Sequence, residues 1–276
     1  MTPVGTAGIG LVVGIVTSAV VALAGCASPG GAPAPPPNTT GTAAPNTAPH
    51  PLDPDTILTC QGVEVSAGAL TEQQPASELR PELAALLEGS PVVSIDDLDE
   101  WFLAVSSDDH VVLMRELDPP VDLGAGDVRD FDLLSVSATP GAMPIDDTWG
   151  VDVSTSCTPR ITLDGLGEVS LTLDPDAPPR ADDRDLSLLA TVWSCSSGQP
   201  ATGRIEVVEI VETATTVELV VGVAPQRQDR AHTCQSNPPT PLTVDLEHPL
   251  GDRAILDASF VPAHEITAPT GRSVPG

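Results

Sequence analysis

From residue 168 to residue 260 the chain repeats one pattern six times. EVSLTLD (168–174), DLSLLATVWS (185–194), RIEVVEIVE (204–212), TTVELVVGV (215–223), PLTVDLE (241–247) and AILDASF (254–260) each alternate apolar with polar residues, and Pro-, Gly- and Asp-rich turns separate them. A period of two over such lengths is the signature of half-buried strands, and no helical period competes with it. The block from about 158 to 265 is therefore expected to be an all-β, sandwich-like domain. Within RIEVVEIVE, Ile205, Val207, Glu209 and Val211 share one face, and Glu206, Val208, Ile210 and Glu212 the other. Neither face is purely polar, which reads as a central strand.

The preceding block, about 55–157, mixes signals. ILTCQGVEV (57–65) alternates as a strand. PASELRPELAALLEGS (75–90) predicts a helix, with Leu79, Leu83, Leu86 and Leu87 on one face, Ser77 or Arg80 before its start and Gly89 at its end. WFLAVSS and HVVLMRE flank Asp108-Asp109 as the arms of a hairpin. FDLLSVSAT and TWGVDVSTSC supply two more strands, giving a small α+β domain with an antiparallel sheet.

Four cysteines, Cys60, Cys157, Cys195 and Cys234, lie in these blocks, and no Cys-x-x-Cys occurs. An even number without metal-type spacing predicts disulfides. Cys60–Cys157 with Cys195–Cys234 is preferred because each pair brackets one block. The competing pattern, Cys157–Cys195 with Cys60–Cys234, would tie the blocks together. Loops of these lengths would contribute roughly 4–5 and about 4 kcal/mol on a chain-entropy basis.

Ahead of both blocks stands AGIGLVVGIVTSAVVALA (7–24), an apolar run followed at once by Gly25-Cys26 and then by ASPGGAPAPPPNTTGTAAPNTAPHPLDP (27–54). Leu23-Ala24-Gly25-Cys26 resembles the lipobox of bacterial lipoprotein signal peptides. The resemblance implies cleavage between Gly25 and Cys26, a diacylglyceryl thioether on Cys26, and anchorage to the outer face of the cell membrane, facing the wall. Several acyl chains hold stably where one would be marginal. The usual basic n-region is missing from MTPVGTAGIG, and the alternative is an uncleaved membrane helix with an external C-terminus. With nine prolines and almost no large apolar residue, 27–54 cannot bury a core and reads as a tether reaching roughly 70–85 Å. Its Thr39, Thr40, Thr42 and Thr47 suit O-glycosylation or an unmodified spacer equally. The organisation expected is thus a signal peptide (1–25), a lipidated tether (26–54), the two folded blocks, and a C-terminal tail (266–276).

A second resemblance covers HTCQSNPPTPLTVDLEHPLGDRAILDAS (232–259), which is similar to a segment of exported lipoproteins of high-GC Gram-positive bacteria. It implies export and no particular reaction. Physically, Pro249-Leu250-Gly251 makes a turn in which Asp252 and Arg253 can satisfy loop amides and carboxylates.

Formal charge is −28, and all eleven basic residues are Arg. Without Lys there is no Schiff-base lysine, phosphate-loop lysine or Ser-x-x-Lys acylation site. The acidic balance repels nucleic acid and suits a soluble surface, a basic protein partner or diffuse divalent cations. It is uneven: residues 52–157 carry 22 acids against three Arg, and residues 158–276 carry 17 against eight.

Catalytic patterns are sparse. His50, His110, His232, His248 and His264 fall in no recognised motif; His264-Glu265 begins like a zinc-protease signature without the second His. Acid pairs at Asp96-Asp97, Asp108-Asp109 and Asp146-Asp147, and the triplet Asp182, Asp183, Asp185, lack EF-hand spacing, with 182–185 the best metal candidate. Trp101, Trp149 and Trp193 are expected inside the cores, the last two packed near cystines. No catalytic residue and no cofactor is assigned. The expected role is binding or scaffolding in the envelope, with oligomeric state open. The alternatives are a hydrolase, marked by a buried His–carboxylate pair beside an exposed Ser, and a carrier with one large apolar pocket between domains.

Overall fold

The computed structural model describes residues 52–269 apart from 94, 96, 124–126, 140–142 and 227–232. Gly25, Cys26, the tether with its threonines, His50, Asp96 and His232 lie outside the described residues.

The first block runs β1 (Ile57–Cys60), β2 (Val63–Ser66), α1 (Ala67–Glu72), β3 (Gln74–Pro75), α2 (Pro81–Glu88), β4 (Phe102–Ser106), β5 (His110–Asp122), β6 (Val128–Ser137), β7 (Met143–Pro144) and β8 (Gly150–Cys157). The second runs β9 (Arg160–Ile161), β10 (Val169–Leu173), β11 (Asp185–Val192), β12 (Ile205–Glu212), β13 (Thr216–Val223), β14 (Thr240–Asp245), β15 (Ala254–Asp257) and β16 (His264–Glu265). Among the described residues the protein is mostly β, with its short helices all in the first block, as the α+β and all-β reading requires.

Local chemistry corrects two boundaries. ILTCQGVEV is a hairpin and not one strand, because Gln61 and Gly62 both take positive φ (53° and 83°) and reverse the chain between β1 and β2. The 75–90 helix shrinks to α2 preceded by a 3₁₀ turn at Ala76–Glu78. Pro81 forces the residue before it out of helical space, and Arg80 sits at ψ 130°. Pro81 then opens α2 and Gly89 closes it. Ser66 caps α1 by accepting from the Ala69 amide at 3.1 Å.

A six-stranded sheet in the order β3-β4-β5-β6-β8-β7 forms the body of the first block. Both its faces are covered, which explains why HVVLM is a continuous buried run and not an alternation. Val111, Leu113, Leu134 and Val136 meet Leu83 and Leu87 of α2 with Trp101 and Trp149. Val112, Met114, Leu133 and Phe131 face the opposite way, onto Leu58, Val65 and the Cys60–Cys157 bridge. The second bridge joins Cys195 to Cys234.

In the second block β10-β11-β14 and β12-β13-β15-β16 enclose one apolar core, with Leu186, Leu188, Val217, Leu219 and Val221 among its most buried members. β12 pairs only with β13 and is an edge strand, not a central one. Its Val208 is 50% exposed, and a bulge between Val207 and Glu209 breaks the simple two-face register. The mixed polarity of both faces marks an edge kept soluble by Glu side chains.

The two blocks pack as one compact unit. β9 adds to the β1–β2 hairpin through Leu58↔Ile161 and Thr59↔Arg160, and Val261 N donates to Pro159 O at 2.8 Å.

Arg253 has the structural role its turn suggested, whereas Asp252 is exposed. The Arg253 guanidinium reaches Glu212 at 2.7 Å and the carbonyls of His248, Pro249 and Leu250 at 3.0, 2.9 and 3.0 Å. Both side chains are about nine-tenths hidden, at 9% and 11% exposure. Arg253→Ala is expected to cost about 3–5 kcal/mol in urea unfolding by stranding Glu212. Arg253→Lys should recover only part of this, since an ammonium lacks the fork. Glu212→Gln in the Arg253→Ala background should restore more stability than it costs alone.

Candidate functional site

Most of the dense acid pairs prove to be turn chemistry. Asp97 accepts from the Asp99 amide at 2.9 Å, Asp146 from the Thr148 and Trp149 amides at 2.7 and 2.6 Å, and Asp174 from the Asp176 amide at 2.9 Å. Each side chain closes a turn that the backbone alone would leave unsatisfied. Asp109 accepts from the Ser107 hydroxyl in the β4–β5 hairpin. In the 182–185 loop, Asp183 accepts from the Arg180 amide at 2.7 Å, and Asp182 and Asp185 are exposed. Among the described residues no three His, Cys, Asp or Glu side chains gather as a metal ion would require.

The histidines separate. His110 Nε2 lies 2.9 Å from Ser135 Oγ, and His248 rests 3.5 Å from Glu212. His264 Nε2 sits 2.7 Å from Asp130 Oδ2, joining β16 to β6 across the seam between blocks. Asp130 also accepts from the Thr158 hydroxyl. Burial works against charging Asp130, but the His264 and Thr158 hydrogen bonds prevail and hold its carboxyl below the ordinary 3.8. Among the described residues no serine hydrogen-bonds this His–carboxylate pair. Ser259, the nearby hydroxyl, is 3% exposed and donates to Asp257. Ser135, beside His110, is 1% exposed.

Asp257 is the inverse case. Burial raises its carboxyl above 3.8 despite the Ser259 hydroxyl and the fields of Arg160 and His264.

Beside Asp130 opens a cleft of about 820 Å³. One wall is Leu70 and Glu72 of α1 with Leu52 and Pro54 just before β1; a second is Glu116, Leu117, Asp130 and Phe131 on β5 and β6. The second block closes it with Glu209 and Val211 of β12, Glu218 and Val220 of β13, and the 258–263 segment carrying Phe260 and Val261. The floor is apolar. Every ionisable side chain lining it is a carboxylate: Glu72, Glu116, Asp130, Glu209 and Glu218. Asp130 is hydrogen-bonded to His264 and Thr158, and Glu218, 4% exposed, accepts from the Thr216 hydroxyl at 3.0 Å. Glu72, Glu116 and Glu209 stand exposed at the rim. The volume falls in the usual range for small-ligand sites, about 300–1,000 Å³.

None of the sequence-stretch candidates named for metal binding lies in this cleft. Glu209, which shares a face of RIEVVEIVE with Ile205, Val207 and Val211 and in sequence reads only as part of a central strand, lines it together with Val211. The other walls come from segments up to two hundred residues apart, which no motif joins. The tryptophans also divide. Trp101 and Trp149 are buried at 7% and 9%, whereas Trp193, expected in a core beside Cys195, is 63% exposed.

Comparison of the chain with protein-family models, with curated proteins and with solved structures finds no match, so geometry carries the functional reading.

The titrations have opposite signs. Asp130 binds its proton more weakly folded than unfolded, so its stabilisation is complete above about pH 4 and is lost as pH falls through its lowered value. Asp257 contributes the reverse, a stability present below 3.8 that is lost as pH rises through its raised value. Asp257→Asn keeps an acceptor for Ser259 and removes the ionisation. Its melting temperature is expected to gain on wild type progressively from pH 4 to pH 7, and a constant difference across that range would refute this.

Proposed function

We propose that this chain is a lipid-anchored, extracytoplasmic binding protein whose cleft takes an apolar ligand carrying a positive charge. The observation that carries the reading is a mostly apolar lining whose ionisable side chains are all carboxylates. An apolar body would leave water for the floor, and an ammonium or guanidinium group would meet rim carboxylates in a partly desolvated setting. An anionic ligand of the same shape would be repelled. Of the roles open from sequence, this develops the binding role in the form of a carrier. A basic protein partner remains its close relative, presenting the same chemistry on a side chain.

Two disulfides are compatible with an oxidising, extracytoplasmic compartment. No helix among the described residues is long and apolar enough to cross a membrane. Anchorage is proposed for Cys26 on the resemblance of Leu-Ala-Gly-Cys to a lipobox and the tether that follows it.

Both parts are testable. Cys26→Ser should abolish incorporation of labelled palmitate and leave a longer, uncleaved chain; continued labelling would sink the anchor. For the cleft, decylammonium and decanoate of equal chain length should be titrated calorimetrically. The cation is expected to bind and the carboxylate not. Glu116→Gln and Glu209→Gln should each weaken the cation about two- to fivefold, as a partly exposed charge pair of roughly 0.5–1 kcal/mol would. Equal binding of both amphiphiles would remove the electrostatic part of the proposal.

A further inference from the structure

An exposed tryptophan is costly to leave in water, and Trp193 is held out by more than chance. Asn237 Nδ2 donates to the carbonyls on both sides of it, Val192 O and Ser194 O, at 2.8 Å each. Cys195, two residues on, is bridged to Cys234. The indole itself is oriented, since its Nε1–H donates to Ser170 Oγ at 2.7 Å. The backbone is thus clamped on both flanks and the ring is fixed by its polar edge, while most of its surface stays in solvent.

The ring borders a hollow of about 290 Å³, separated from the acid-rimmed cleft by Phe260, which lines both. Around this hollow charge is balanced. Arg129 grips Asp127 with two nitrogens, at 2.5 and 2.7 Å, and reaches Ser156 O with the third. Arg160 stacks over Phe260 at 4.1 Å and donates to Val169 O and Ser259 Oγ. Both guanidiniums are therefore committed to protein acceptors. Carboxylate oxygens are the groups left facing outward: Glu168 is 57% exposed on its side chain and Asp127 41%. Gln61 adds an amide.

We propose that this hollow is a saccharide-binding site, with Trp193 as its stacking platform, and that it takes a neutral sugar. The apolar C–H face of a pyranose ring lies on an indole as other flat apolar groups do, and its hydroxyls need acceptors and donors at the edge. Glu168 and Asp127 accept from hydroxyl pairs, and Gln61 can donate. An acidic sugar would find two carboxylates and no uncommitted cation. The volume suits one or two rings and not a long enclosed chain. The site shares no carboxylate with the acid-rimmed cleft and does not depend on that proposal.

The chain has no Tyr and only three Trp, two of them buried, so tryptophan emission that solvent can quench reports on Trp193. The test uses the full chain in a detergent without a sugar headgroup. The probes are maltotriose, cellotriose, mannotriose and triacetylchitotriose, with trigalacturonate as the anionic comparison. At least one neutral trisaccharide is expected to shift the emission and shield it from acrylamide, with binding confirmed by calorimetry. Trp193→Ala should weaken that binding about tenfold or more, and Glu168→Gln several-fold, with melting temperature and far-ultraviolet dichroism unchanged. The proposal is overturned if no neutral sugar binds up to roughly 10 mM. It is overturned equally if trigalacturonate alone binds, or if Trp193→Ala binds as tightly as wild type.

Discussion

One guanidinium, that of Arg160, stands where everything else in this molecule meets. Its backbone pairs with Thr59 of the first block and bridges to Phe260 of the second. Its side chain, 10% exposed, stacks on Phe260, donates to Val169 O and Ser259 Oγ, and lies 3.9 Å from Glu168. A buried cation is stable only where several acceptors replace its water. Those acceptors come here from β10 and from the segment after β15, so satisfying one charge fixes the approach of strands that are remote in sequence. The cleft and the smaller hollow lie on either side of the Phe260 ring that this cation holds.

The same logic governs the other buried charges. Glu212 is kept ionised because Arg253 and the amides of Glu247 and His248 outweigh its desolvation, and the loop before β15 is thereby fastened to the end of the β12 edge strand. Asp130 is kept ionised by His264 and Thr158 across the seam. Asp257 has only the Ser259 hydroxyl and amide in direct contact, and burial prevails. In a chain of net charge −28, what separates these carboxylates is depth of burial set against the donors each receives: Asp130 and Asp257 have two apiece, and Asp257, 3% exposed, is the more deeply buried.

The surplus of acid is put to several uses. Some carboxylates close turns, some keep the bulged edge strand β12 from pairing with another chain, and some ring an apolar cleft. The last use carries the proposed function. An apolar depression without charge would attract any greasy group, whereas the carboxylates here would favour a cation.

The sequence by itself determined the class of fold. Period-two alternation placed six of the eight strands of the second block, β10 to β15, and missed the two-residue β9 and β16, because side-chain polarity along a strand is set locally by the pleat and needs length to show. Cysteine count and bracketing led to the two bridges, and Gly89 to the end of α2, whose start the sequence left between Ser77 and Arg80. The turn at Gln61-Gly62 sits inside what reads as one alternating strand, and Gly62 is the local sign of the reversal. The other misplaced features have their cause elsewhere in the chain. β12 looked central because both faces carry apolar residues, and only its missing neighbour shows it to be an edge. Trp193 was assigned inward by its hydrophobicity, while Asn237, Ser170 and the second disulfide hold it outward. The cleft was illegible for the same reason. Its walls are drawn from residues 52–72, 116–131, 209–220 and 258–263, and their meeting is decided by tertiary contacts, above all the burial of Arg160, which no local pattern encodes.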